Sequence, residues 1–267
     1  MRTLALIAVA GLALGASSAF ADISVEAVNP ANDAGLLNYN YSTGVQTQSG
    51  LSPAGSGTIV YDNTTSSVGG TAVANSGLSA TDTTATYGGE CDTVGAGGTL
   101  TSMYSSIYNT STSGGTIKSF TENVAIYDLT TSTLLGSAFS VSYSFASPYL
   151  PKGYFSQLSI TGLDSLGIVL SANESVVVLT SFTNVVLSSG TASKTYLSVV
   201  SAIPPAVGAA PGTVYISDGT KTAAGFYSVG SPAITFDPIF QLAVAPAPAS
   251  AGLLGLAGLA AARRRRA

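Results

Sequence analysis

The chain contains no histidine, no tryptophan and only one cysteine among its 267 residues. The lack of an imidazole excludes Ser-His-Asp and Cys-His catalytic pairs, which use it as a base, and zinc sites with histidine ligands. A single thiol excludes a disulfide within the chain. Charged residues are also scarce, at 8% of the sequence against about 25% in ordinary globular domains.

Small and hydroxyl-bearing residues take their place, with 38 serines, 30 threonines and 30 glycines. Hydrophobic residues make up 46% of the chain, so the low hydrophobicity typical of disordered proteins is missing. All 13 acidic residues lie between Asp22 and Asp237, whereas five of the nine basic residues lie at the two ends. The central part is therefore acidic and has no basic face for a phosphate backbone, and nucleic acid is not expected as a partner.

The first 21 residues have the three parts of a secretory signal peptide. Arg2 precedes an apolar run at 4–16, and Ala19 and Ala21 form a small-x-small cleavage site before Asp22. The run is shorter than the roughly 20 apolar residues that span a bilayer, and it lacks the polar face of an amphipathic core helix. The sequence therefore predicts a helical signal peptide at 1–21, recognised by the secretion machinery.

The C-terminal end has a proline segment, a short apolar stretch and a basic cluster. Pro246 and Pro248 precede a Gly/Ala/Leu-rich stretch, and Arg263, Arg264, Arg265 and Arg266 follow it. As a helix, 249–262 would be about 21 Å long at ~1.5 Å per residue, which is short of a ~30 Å hydrocarbon core. Terminal arginines stay on the cytoplasmic side of a membrane. We expect a transient stop-transfer element, with an ordinary C-terminal membrane anchor as the alternative.

This order of parts at 245–267 resembles the PEP-CTERM sorting signal of bacterial envelope proteins. Pro246 and Pro248 match its two prolines and 263–266 its basic stop, while Ala247 stands where the family has glutamate. The resemblance implies an exosortase, a membrane cysteine protease-like transpeptidase, as the partner that removes the tail. It also implies a place in the cell envelope or outside the cell, with membrane anchoring through the C-terminal helix either transient or permanent.

Residues 22–244 predict one all-β domain. The segment 139–145 alternates apolar and serine residues, which is typical of a half-buried strand, and 176–179 is apolar throughout, as in a strand covered on both faces. Two further strand candidates are 116–120 and 123–129. Glycine pairs such as Gly88-Gly89 indicate turns between strands. We expect a single antiparallel β-sandwich, jelly-roll-like, flanked by the N-terminal signal helix and a C-terminal hydrophobic helix.

Three acids in a glycine-rich stretch are candidate calcium ligands. Asp82, Glu90 and Asp92 offer the oxygen atoms that Ca²⁺ prefers, if this stretch is a loop. Asp62 or Asp237 would join them only if the fold brings the strands together. The alternative is a set of solvated acids that keep the chain soluble.

Tyrosines with neighbouring Asn and Asp side chains suggest a carbohydrate-binding surface, although tyrosine is also common at strand ends. The candidates are Tyr104, Tyr108, Tyr149 and Tyr154. A glycoside hydrolase would need two facing carboxylates, and the acids form no recognisable acid/base constellation. No catalytic or cofactor-binding residue is therefore predicted.

The thiol of Cys91 lies between Glu90 and Asp92, whose negative charges disfavour its thiolate. We expect it to be inert, with a link between two chains as the alternative. Together these features predict an exported, non-enzymatic surface or extracellular-matrix protein in contact with exopolysaccharide or neighbouring proteins. A secreted carbohydrate-binding module is the alternative, and a glycoside hydrolase is less expected.

Overall fold

The computed structural model describes residues 23–27, 29–49, 57–64, 71–75, 86–109, 115–188, 197–202, 205–217, 225–227 and 237–245. The predicted signal peptide lies outside the described residues, as does the predicted sorting signal except for Ala245, the last residue of β18. The two predicted flanking helices lie outside them as well. The predicted cleavage and sorting residues concerned are Ala19, Ala21, Pro246, Pro248, Arg263, Arg264, Arg265 and Arg266.

The prediction of an all-β chain is confirmed. The described residues form eighteen strands in two sheets, and their longest helical elements are the short 3-10 turns at Pro30–Asn32 and Leu163–Leu166. Across the described ranges, no helix has the length and apolar character needed to cross a membrane.

The larger sheet has eleven strands, in the order β1-β5-β14-β7-β11-β2-β3. β18 pairs with both β7 and β4, β12 pairs with β7, and β17 pairs with β14. Its strands are β1 Ile23–Ala27, β2 Asp33–Asn40, β3 Val45–Ser49, β4 Thr58–Asp62, β5 Thr71–Asn75, β7 Gly98–Asn109, β11 Phe155–Thr161, β12 Val169–Leu170, β14 Leu197–Ala202, β17 Asp237–Pro238 and β18 Gln241–Ala245.

The smaller sheet has seven strands, in the order β10-β8-β13-β6-β15-β16, with β9 paired to β8. Its strands are β6 Thr86–Asp92, β8 Ile117–Asp128, β9 Thr133–Leu134, β10 Phe139–Ser144, β13 Ser175–Leu187, β15 Val214–Ser217 and β16 Gly225–Tyr227.

Three local predictions differ from the structure. The candidates 116–120 and 123–129 form one continuous strand, β8. Gly88 and Gly89 lie inside β6 and not in a turn. Among the described strands the pairing is antiparallel with one exception, because β11 runs parallel to β2, with Leu158 beside Leu37. Apolar alternation fixes which face of a strand is buried, but it carries no information on the direction of the neighbouring strand.

The two sheets share one hydrophobic core. In β10, Phe139, Val141 and Tyr143 are buried while the serines between them are exposed, as the alternation predicted. The 176–179 run is buried on both faces. Val176 and Val178 join the shared core, and Val177 and Leu179 pack on the other side. Aromatic rings fill the space around Phe120, which stacks on Tyr143 at 5.2 Å between ring centroids.

Side-chain amides join the edges of the two sheets at one side. The Ser144 backbone N donates to Gln46 Oε1 at 2.9 Å, and the Ala146 backbone N donates to Gln48 Oε1 at 3.1 Å. The Gln46 Nε2 group in turn donates to the Ser144 carbonyl. The edge strand β10 therefore receives part of its hydrogen bonding from glutamine side chains of β3.

Backbone contacts join the sheets at a second place. Around Gly208, the chain bonds to Asp62 at the end of β4 and to Asp92 at the end of β6. The Asp62 N donates to the Val207 carbonyl at 2.9 Å, and the Asp92 N donates to the Ala209 carbonyl at 2.8 Å. Gly208 has a φ of +82°, and a Cβ there would lie 2.4 Å from the Asp92 carbonyl oxygen. This position therefore requires glycine.

Candidate functional site

An aromatic groove lies on the outer face of the smaller sheet. The groove is shallow and partly open to solvent. It is lined by Tyr127, Asp128, Leu129, Ser132, Val177, Leu179, Tyr215 and Phe226. Because strands β8, β13, β15 and β16 each contribute outward-facing positions, residues far apart in sequence meet here.

Gly88 explains how the groove forms. It pairs with Leu179 on one side and Tyr215 on the other, so all three positions face the same way. A Cβ at Gly88 would meet the Val178 carbonyl oxygen and would lie 2.6 Å from Leu179 Cδ2, so a larger residue would clash with the backbone of β13 and with the Leu179 side chain. Because glycine has no side chain, the floor of the groove is lower between Leu179 and Tyr215.

Aromatic rings give the groove its chemistry. Tyr215 and Phe226 pack edge to face at 5.3 Å between ring centroids. Tyr215 is 6% exposed, while Tyr127 and Phe226 are half-buried and present part of their rings to solvent. A surface of this kind favours a ligand with an apolar ring face.

Asp128 stands at the rim of the groove with its carboxylate fixed. It accepts hydrogen bonds from Thr131 Oγ1 at 2.8 Å, from Thr130 N at 2.7 Å and from Thr131 N at 3.2 Å. These bonds, that of the Thr131 side chain first, lower the pKa of Asp128. The groove therefore carries one ionised acceptor beside its apolar floor.

A ladder of hydroxyl and amide groups continues from the groove along the same outer face. Ser140 Oγ donates to Asn123 Oδ1 at 2.7 Å, and Asn123 Nδ2 donates to Thr183 Oγ1 at 3.2 Å. Thr121 Oγ1 and Ser142 Oγ are 3.0 Å apart. The face thus has an apolar half and a neutral polar half.

The four predicted tyrosines do not form one platform. Tyr104 and Tyr108 lie on the outer face of the larger sheet, where they are 6% and 3% exposed. Tyr149 and Tyr154 pack against the core between the sheets. Burial raises the pKa of Tyr104, helped by the charges of Asp33 and Asp62.

Four of the candidate calcium ligands are among the described residues, and all four are on strands. Glu90 and Asp92 occupy alternate positions of β6, and Asp92 accepts a hydrogen bond from Ser175 Oγ. Asp62 accepts one from Gln241 Nε2 at 3.1 Å, and Asp237 lies in β17. Asp82 lies outside the described residues. Among those described, no three His, Cys, Asp or Glu side chains are grouped to hold a metal ion.

Cys91 is fully buried in the core between the sheets. Its side chain faces the opposite way from those of Glu90 and Asp92, because successive strand residues alternate between faces. The folded chain therefore does not present this thiol to a second molecule.

A buried carboxyl group, which the sequence did not reveal, lies in the same core. Glu122 is 0% exposed and occupies the inward row of β8 between Phe120 and Val124. Its Oε1 accepts a hydrogen bond from Ser105 Oγ of the opposite sheet at 3.1 Å. Glu122 was missed because it falls in the gap between the two predicted strand candidates. The signal was present, since it keeps the period of two set by Phe120 and Val124.

The Tyr143 hydroxyl faces this carboxyl group. It lies close enough to lower the pKa of Glu122, although neither Tyr143 Oη nor Glu122 Oε2 has a hydrogen-bond partner of regular geometry. Burial outweighs this effect and that of Ser105, and raises the pKa of Glu122 to about 7. Burial, with the nearby Glu122, also raises the pKa of Tyr143 well above its usual value.

A scan of protein-family models, a search of curated proteins and a search of solved structures each return no match to this chain.

Proposed function

We propose that the chain is an exported, non-enzymatic surface or extracellular-matrix protein that is sorted and processed through its C-terminal signal. The observation that carries the proposal is a leader at 1–21 and a proline, apolar and arginine tail at 245–267 on either side of a β-rich body. We further propose that the two sheets form a jelly-roll-like sandwich. Exosortase and the secretion machinery are the processing partners.

The surface chemistry supports a place in a polysaccharide matrix. On the outer face of the smaller sheet, Ser140, Ser142 and Ser144 are exposed and uncharged. Such groups exchange hydrogen bonds with sugar hydroxyls without strong attraction to ions or charged polymers. Many weak contacts of this type suit a matrix component.

Intact-mass measurement of the protein recovered from its native host tests this proposal. The expected mass lacks 1–21 and the arginine cluster at the end of the chain. A Pro246→Ala, Pro248→Ala double variant is expected to keep its tail, whereas Pro151→Ala, in the body, is processed as the wild type. A mature wild-type form that retains all four terminal arginines contradicts the proposal.

A secreted carbohydrate-binding module is the second candidate, and the aromatic groove favours it. Tyr127 and Phe226 offer partly exposed rings for the apolar face of a sugar, and Asp128 offers an acceptor at the rim. The adjoining hydroxyl and amide ladder would bind further sugar units of the same glycan.

A glycan array probed with the purified chain separates the two candidates. Saturable binding of a neutral glycan supports the module, and Tyr127→Ala or Phe226→Ala should weaken it about tenfold or more. Tyr41→Ala is the control, because Tyr41 is a half-buried tyrosine packed on Phe139, outside the groove. Absence of binding, or equal weakening by all three variants, argues against the groove as a glycan site.

A further inference from the structure

We propose that Glu122 is held as a neutral carboxylic acid in the folded core and that its ionisation weakens the contact between the two sheets. The chain would then carry a pH-responsive element, with a fold that is more stable in mild acid than at neutral to alkaline pH. This inference is independent of the proposed function.

The position of Glu122 in the sheet is the first support. Its neighbours across the strands are Val141 of β10 and Phe182 of β13, and along β8 they are Phe120 and Val124. All four are buried apolar residues. The carboxyl group therefore occupies a place that the pattern of the core assigns to an apolar side chain, and it has no access to water.

The groups that face Glu122 are the second support. Ser105 of β7 and Tyr143 of β10 are its polar neighbours, and Tyr39 of β2 lies behind Tyr143 with 6.2 Å between ring centroids. β13 contributes only Phe182 at this level. None of these groups is positively charged at neutral pH.

No lysine of the described residues compensates the carboxylate. Only Lys118 and Lys152 are described, and both are exposed. Lys118 places its Nζ 5.9 Å above the Tyr149 ring, and no hydrogen bond or ion pair joins it to Glu122. An ionised Glu122 would thus be a buried charge held by two neutral hydroxyl groups, which do not repay the loss of its hydration.

The sign of the pH dependence follows from the different pKa values of Glu122 in the folded and the unfolded chain. In the unfolded chain the carboxyl group loses its proton near its ordinary value of 4.5, and in the folded chain near 7. Between these values the folded state binds more protons than the unfolded state. The folding equilibrium constant therefore falls as pH rises through this window, by roughly 50- to 100-fold between pH 5 and pH 8, and levels off above it.

Carbon-13 NMR of the full chain tests the proposal directly. The sequence has four glutamates, Glu26, Glu90, Glu122 and Glu174, so selective labelling of glutamate side-chain carboxyls gives four signals. One signal should titrate near 7 and disappear in Glu122→Gln. If all four titrate near the ordinary value, the proposal is wrong, and this measurement does not require that any variant folds.

Urea unfolding at pH 5 and pH 8 gives the second readout. The wild type should lose stability on going to pH 8, and Glu122→Gln should lose much less because its amide stays neutral. Glu174→Gln is the matched control, a half-buried glutamate of a surface turn, and should behave as the wild type. Equal pH dependence of the wild type and Glu122→Gln overturns the proposal.

Discussion

The Tyr143 side chain has two separate roles in the core. The ring stacks on Phe120, whereas the hydroxyl faces Glu122. A phenylalanine keeps the ring contact and removes only the polar group, so the variant isolates the electrostatic part of the interaction.

We expect Tyr143→Phe to move the titration of Glu122 to higher pH, because a group that lowers this pKa is removed. At pH 5 its stability should stay within about 1 kcal/mol of the wild type, since the lost hydroxyl has no regular hydrogen bond. Urea unfolding at several pH values measures both effects. Tyr39→Phe serves as the control, and a downward shift in Tyr143→Phe would contradict the assignment.

Gly208 is a residue at which backbone geometry is demanding. We expect Gly208→Ala to destabilise the fold by more than about 2 kcal/mol, because the new Cβ meets the Asp92 carbonyl oxygen at 2.4 Å. Gly167 also has a positive φ, but nothing lies within 4 Å of a Cβ there. Gly167→Ala should therefore cost only about 1 kcal/mol. Thermal or urea unfolding compares the two, and equal losses would show that φ alone decides the cost.

At the scale of elements, the pairing of β3 with β10 through glutamine side chains protects an exposed edge. Backbone N–H groups on an open edge are a template for pairing with another chain. Here the Ser144 N–H group donates to Gln46, and the Ala146 N–H group donates to Gln48.

A Gln46→Ala, Gln48→Ala double variant should lose about 1–2 kcal/mol of stability and associate with itself more readily. Light scattering during mild heating measures the association. Thr47 lies between the two glutamines on β3, so Thr47→Ala serves as the control. If the double variant and the control scatter alike, the amides do not protect the edge.

Periodic burial made some elements predictable. β10 alternates apolar and serine residues and 176–179 is apolar throughout, so the sequence of each segment indicates which of its faces are buried. The sequence predicts two strands in place of β8 because the polar Glu122 interrupts the apolar row. That row is completed only by partners on other strands. The sequence predicts a turn at Gly88, whereas the structural reason for a glycine there lies in its strand neighbours Leu179 and Tyr215, which are distant in sequence.

The aromatic groove could not be predicted from the sequence for the same reason. Tyr215 and Phe226 belong to short strands, and their closeness to Tyr127 depends on strand order. The parallel pairing of β2 and β11 likewise joins segments more than a hundred residues apart, such as Leu37 and Leu158.

For the whole molecule, the buried Cys91 provides a reporter of unfolding. In the native state at constant pH, a thiol reagent should label it at least about a thousandfold more slowly than in the denatured chain, because access requires opening of the core. A Ser142→Cys variant should add a thiol that is labelled at once, since Ser142 is exposed. Rapid labelling of Cys91 in the folded wild type would contradict its burial.

The place of β18 has a mechanical consequence for a chain that is held at its C-terminal side. This strand is the last described element, and it is bonded to β4 on one edge and β7 on the other. Tension applied beyond Ala245 would act along the strand and shear both ladders at once, so several bonds would have to break together. β18 would then transmit a load to the interior of the larger sheet without peeling away from it.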